Sequence, residues 1–151
     1  MIMTLKQAKR LVARQAGKVS LKSLDKVFLG QRVNSRLVET IFLNNINEKV
    51  LGKVLDYLVE CVGAGDKRAL NVLLRTSDEG FNKNWVSRFY AVFGLHRLAQ
   101  KGELGVLPGL LRVVNDSESG VRPFAVNGLQ SLARFKNLQA QKKLTQLGET
   151  W

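Results

Sequence analysis

The chain has a single cysteine, Cys61, and a single histidine, His96. A lone cysteine excludes an intrachain disulfide and any multi-cysteine metal cluster, and it fits a reducing compartment. A lone histidine leaves no second imidazole from which to build a metal site. Two prolines and a hydrophobic fraction of 45% exclude a disordered, proline-rich chain. No apolar run approaches the roughly 18 residues that a membrane span requires. Neither G-x-S-x-G, nor a glycine-rich phosphate loop, nor H-E-x-x-H occurs. No catalytic residue, metal or cofactor is therefore expected. Cys61 reads as core packing, and His96, on an apolar helix, as a packed or rim histidine.

Acidic residues are also scarce. There are 12 against 24 Lys and Arg, for a net charge of +12. The imbalance is concentrated in residues 1–36. They carry Lys6, Lys9, Arg10, Arg14, Lys18, Lys22, Lys26, Arg32 and Arg36 against one acid, Asp25. Such a field attracts polyanions and accelerates their association, whether they are acidic proteins or nucleic acids. Residues 1–20 are basic, acid-free and rich in Leu, Ala and Val. That composition is shared with organellar transit peptides, although the cytoplasm is the expected location.

What the chain does have is an internal repeat. A shift of 34 residues places Arg88 on Arg122, Ala91 on Ala125, Val92 on Val126 and Gly94 on Gly128. It also places Leu95 on Leu129, Leu98 on Leu132 and Ala99 on Ala133. A period near 34 signals stacked helical units. Helical spacing of apolar residues predicts helices over 4–16, 20–29, 35–45, 47–62, 66–76, 85–100 and 138–147. Two more are predicted across 103–136, with stripes Leu104, Leu107, Leu111, Val114 and Val121, Ala125, Gly128 or Leu129, Leu132. Candidate N-caps are Thr4, Asn47, Asp66 and Ser119, and candidate stops are Gly17, Gly30, Gly63, Gly65 and Gly102. The helix over 85–100 is apolar nearly all round, which predicts burial on several sides.

Residues 104–133 resemble a HEAT repeat of the short bacterial type, also found in phycobilisome lyases. The resemblance is carried by Val106-Leu107-Pro108, the turn Asp116, Val121-Arg122, Ala125, Gly128-Leu129 and Leu132. Residues 66–100 are similar through Asp78, Arg88, Ala91, Gly94-Leu95 and Leu98, with a turn about three residues longer and no opening proline. Residues 35–62 resemble a degenerate copy. The resemblance implies an all-α fold, a right-handed α-α superhelix (a HEAT-like solenoid) of about three helix pairs with capping helices. Its single domain would span 1–151: a basic capping segment 1–34, repeats 35–65, 66–102 and 103–136, and a C-terminal cap 137–151. The family pattern further implies that the turn Asp and the following Arg bond between adjacent repeats. Asp78, Arg88, Gly94, Leu95, Asp116, Arg122, Gly128 and Leu129 are then structural.

Three functions follow from these observations. The first is a non-catalytic scaffold whose basic surface binds an acidic protein partner. The second is a nucleic-acid binding protein without sequence preference. The third is a repeat enzyme resembling bilin lyases or the helical-repeat DNA glycosylases that remove alkylated purines. For that third function no motif aligns, so no residue role carries over. The candidate partner- or polyanion-binding residues are Lys6, Lys9, Arg10, Arg14, Lys83, Trp85, Arg97 and Arg134. On a surface formed by second helices the candidate exposed cations are Arg88, Arg97, Arg122 and Arg134. The loop 77–84, with Phe81 and Lys83 leading into Trp85, carries aromatics beside basic residues, a combination suited to stacking on bases. Phe81 and Trp85 can equally staple the helix start and fill the interface between units.

Overall fold

The computed structural model describes residues 35–44 and 47–151. The helices expected over 4–16 and 20–29 lie outside them. The described residues form seven α-helices and one 3-10 turn, with no strand among them. In chain order these are α1 (Ser35–Leu43), α2 (Glu48–Gly63), α3 (Lys67–Thr76), α4 (Trp85–Gln100), the 3-10 turn (Leu104–Val106), α5 (Leu107–Val113), α6 (Arg122–Arg134) and α7 (Leu138–Leu147).

Local chemistry fixes most of the boundaries. Asn47, Asp66 and Asn84 sit in extended backbone before α2, α3 and α4, and each side chain accepts from two free N–H groups of the first turn. Asn137 caps α7 by accepting from Ala140 N at 2.9 Å. Such caps each contribute about 1 kcal/mol. Gly65 and Gly102 adopt φ of +91° and +80°, which reverses the chain after α2 and α4 without a Cβ clash.

The start of α6 departs from expectation. Ser119 is exposed and does not cap it. The helix begins after the buried Val121, with no side-chain cap and with Pro123 in its first turn. Asp116 holds the preceding turn instead, accepting from Glu118 N at 2.8 Å. Proline tolerates this position because the missing N–H would have no helical partner there.

The helices pack in two rows. One row runs α2, α4, α6, and α4 makes its most extensive contact with α6. The other runs α1, α3 and the 3-10 turn that leads into α5. Helix α4 touches α2, α3, the 3-10 turn, α5 and α6, as its all-round apolar surface requires. Helix α7 covers α6 through Ala140 and Leu144, both fully buried. The core between the rows includes Phe42, Leu51, Leu55, Leu73, Leu95, Leu110, Leu129 and Leu132.

The Gly-Leu pairs sit at close contacts between helices. A Cβ on Gly94 would overlap Leu55 of α2 and lie 3.2 Å from Leu73 of α3. One on Gly128 would lie 2.9 Å from both methyls of Leu110 in α5. Both glycines therefore mark contact surfaces, and Leu95 and Leu129 beside them are completely buried.

Candidate partner-binding surface

The charged residues divide into those that hold the helices together and those left at the surface. Arg88, on α4, is 3% exposed overall, which excludes it from the exposed cations expected on the second helices. Its Nε and Nη2 donate to Asp116 Oδ2 and Oδ1 at 2.9 and 3.0 Å, and its Nη1 donates to Asn82 O at 3.0 Å. This paired, two-pronged geometry is the strongest a guanidinium and a carboxylate can form. It ties α4 to the turn before α6.

Asp78 does not occupy the matching position one unit earlier. Asn82 does. Thirty-four residues before Asp116, it is buried and makes the same turn, accepting from Asn84 N at 3.0 Å. Its amide donates to Thr76 O and Ser87 Oγ. The position 34 before Arg88 is Val54. The preceding unit therefore presents no guanidinium there, and a neutral amide replaces the carboxylate. The two loops, 77–84 and 114–121, are equal in length, so the expected insertion is absent. The first helix of the later unit simply ends three positions further along the 34-residue register.

Asp78 lies at the surface, accepting from Gly80 N at 2.9 Å and standing 4.0 Å from Arg112 Nε. With Glu79, Lys83 and Arg112 it lines a hollow of about 370 Å³ between the two loops. Glu79 accepts from the backbone and hydroxyl of Ser117, and these bonds pull its carboxyl below the usual range. Both acids and bases line the hollow, and Trp85 does not. Asp78, Trp85 and Arg88 are thus not gathered in this hollow. Nor do Phe81 and Trp85 fill an interface, being 41% and 51% exposed. The Arg75 guanidinium covers the Phe81 ring at 4.4 Å from its centroid.

The remaining candidates lie apart. Lys6, Lys9, Arg10 and Arg14 fall outside the described residues. Lys83 is exposed in the loop before α4, whereas Arg97 is in the last turn of that helix, roughly 18 Å from the Trp85 end at 1.5 Å per residue. Arg97 is ion-paired with Asp56 of α2. Arg122 and Arg134, at the two ends of α6, are both exposed.

Arg134 belongs to a surface that periodicity did not reveal. Leu104, Phe135 and Leu138 are 56%, 56% and 77% exposed. Phe135 lies against Gly102, its ring 3.5 Å from where a Cβ would stand. That contact brings the loop after α4 to the loop after α6. Lys101, Arg134 and Lys136, all exposed, adjoin Gly102 and Phe135 in the chain. The nearby Glu103 is turned back onto Gly105 N at 3.1 Å. The legible signal was Arg134-Phe135-Lys136, an aromatic between two cations immediately past a helix end.

His96 packs among Phe93 and Phe124, with ring centroids 6.2 Å away in each case. Burial pushes its pKa below the ordinary value and keeps the ring neutral, and its Nδ1 has no hydrogen-bond partner in the structure. Burial likewise raises the half-buried Cys61 thiol, so little reactive thiolate forms. Among the described residues no three His, Cys, Asp or Glu gather as metal ligands, and no helix is long and apolar enough to cross a membrane. In comparisons with protein families, curated proteins and solved structures, the chain matches none.

Proposed function

We propose that the protein is a non-catalytic interaction module. In this reading it is a HEAT-like right-handed stack of helix pairs that binds an acidic protein segment through a basic edge with an apolar centre. The observation that carries the proposal is that the loops bearing exposed Leu104, Phe135 and Leu138 meet where Phe135 lies against Gly102, with exposed Lys101, Arg134 and Lys136 next to these positions in the chain. Exposed apolar side chains grouped within a charged rim are the usual makeup of a protein-binding patch. Cations around aliphatic side chains suit a peptide that alternates acidic and apolar residues. The buried Arg88–Asp116 pair supports the stacked architecture, because it joins successive 34-residue units. The cytoplasm is the proposed setting, in keeping with the free Cys61.

Exposed Trp85 beside exposed Lys83 favours nucleic-acid binding as a second reading, through stacking and phosphate contacts. Salt separates the two. Binding of a labelled Leu/Glu-alternating peptide, a single strand and a duplex is measured at low and physiological salt. The peptide is expected to persist at the higher salt and to weaken on the order of tenfold with Phe135→Ala, as removal of an anchor residue does. Nucleic-acid affinity carried by phosphates falls steeply with salt. Peptide binding unaffected by Phe135→Ala, with tight strand binding lost in Trp85→Ala, would reverse the assignment.

A further inference from the structure

Helices α4 and α6 share one register, so the face through which α4 meets the following unit predicts what the matching face of α6 accepts. On α4 that face holds Arg88, Phe89, Val92, Phe93 and His96. Arg88 receives the Asp116 carboxylate. Phe89, Phe93 and His96 surround the Phe124 ring at centroid distances of 5.0, 5.6 and 6.2 Å. Shifted by 34, the same positions on α6 are Arg122, Pro123, Val126, Asn127 and Gln130. Together with Ser119 and Glu149, these residues line an open groove of about 420 Å³.

Helix α7 packs on α6 but leaves this strip uncovered. The segment after α7 passes along it, where Gln130 Nε2 donates to Thr150 O at 2.7 Å. It also brings Glu149 to the groove, without an ion pair to Arg122 within 4.0 Å. The position 34 after Asp116 is Thr150, and among the described residues no ion pair within 4.0 Å engages Arg122. The residue homologous to the buried, doubly bonded Arg88 is thus an exposed guanidinium in a groove.

We infer that this groove is a carboxylate-docking site whose occupant is a turn of a partner protein presenting an aspartate, as Asp116 is presented to Arg88. The inference rests on the interaction-module reading and adds a second contact, on the α6 flank and separate from the Phe135 edge. Asn127 and Gln130 replace Phe93 and His96. The expected occupant therefore presents polar groups to Asn127 and Gln130, where the internal unit presents the Phe124 ring to Phe93 and His96.

The internal turn provides the probe. The peptide VVNDSESGV, residues 113–121 of the chain itself, is titrated into the protein labelled with nitrogen-15. The side-chain signals of Arg122, Asn127 and Gln130 are followed. Saturable shifts at all three are expected. The peptide with its Asp116 replaced by Asn is expected to bind about tenfold more weakly, the loss that follows from removing one charge-assisted contact. Arg122→Gln is expected to abolish the shifts, and Arg68→Gln, which removes the same charge from an exposed position on α3, to leave them. Equal binding of the two peptides, equal effects of the two arginine substitutions, or unmoved signals would each overturn the site. The Leu/Glu peptide and Phe135→Ala test the edge independently. Failure at Arg122 with the edge intact removes this inference alone, and failure at Phe135 with Arg122 responding removes the edge.

Discussion

At the scale of single residues, the Arg88–Asp116 pair is the most consequential interaction in the described structure. Its side chains are 4% and 1% exposed, so solvent screening is minimal. Substituting one partner leaves the other charge buried. Asp116→Asn is expected to destabilise by about 3–5 kcal/mol in denaturant unfolding. Arg88→Met combined with Asp116→Leu is expected to recover much of that loss. Leu95→Ala and Leu129→Ala each empty a fully buried position and are expected to cost about 2–5 kcal/mol by the same measurement. Unfolding midpoints equal to wild type would show that neither leucine builds the core. The structural role of Arg88 was readable from its register. The identity of its partner's homologue was not. Asp78 has the right chemistry, but Asn82 has the right place, because an unfaced position selects against a buried charge.

His96 gives a pH dependence at the same scale. Its folded pKa lies below the ordinary value of 6.5 because the ring is desolvated. The unfolded chain therefore takes up the proton more readily. Its stabilising contribution is complete above pH 6.5 and is lost as pH falls through the lower folded value. His96→Gln is expected to flatten the decline in denaturation midpoint between neutral pH and about pH 5.5, which lies above the ordinary carboxylate range. An unchanged slope would remove the role given to His96.

At the scale of elements, helix limits written in side-chain chemistry were legible. Helices α4 and α7 run over Trp85–Gln100 and Leu138–Leu147, as apolar spacing predicted, and Asn47 and Asp66 cap as their positions suggested. The start of α6 and the 3-10 turn before α5 were not legible, since both are set by packing. Val121 and Val106 are fully buried there and override local preference. The cap at Asn84 is more than local. Its amide also donates to Leu43 O at the end of α1, at 3.4 Å. Asn84→Ala is expected to destabilise by about 1 kcal/mol or somewhat more, read from thermal or denaturant unfolding. No loss would show that the α4 start is held by Asn82 and Ser87 alone.

At the scale of the whole molecule, periodicity disclosed the helices of the described residues, and composition disclosed a charge that draws anions. Neither could place the cations. Arg88 and Arg97 are consumed within the structure, by Asp116 and Asp56, whereas Arg122 and Arg134 remain outside. The exposed apolar residues Leu104, Phe135 and Leu138 come from two loops distant in the chain, which meet where Phe135 lies against Gly102. Sequence spacing cannot show such a meeting.

The Arg88–Asp116 bridge also has a mechanical consequence. It joins residues 28 positions apart and spans α5 entirely, so extension of the chain between them loads it. Peeling from the C-terminal side would release α7 first, whose contact among the described helices is with α6. The next extension requires the bridge and the Phe124 cluster to rupture together. A force–extension trace is expected to show a small early step and then one larger event. In Asp116→Asn that later event moves to lower force while the first step stays where it was.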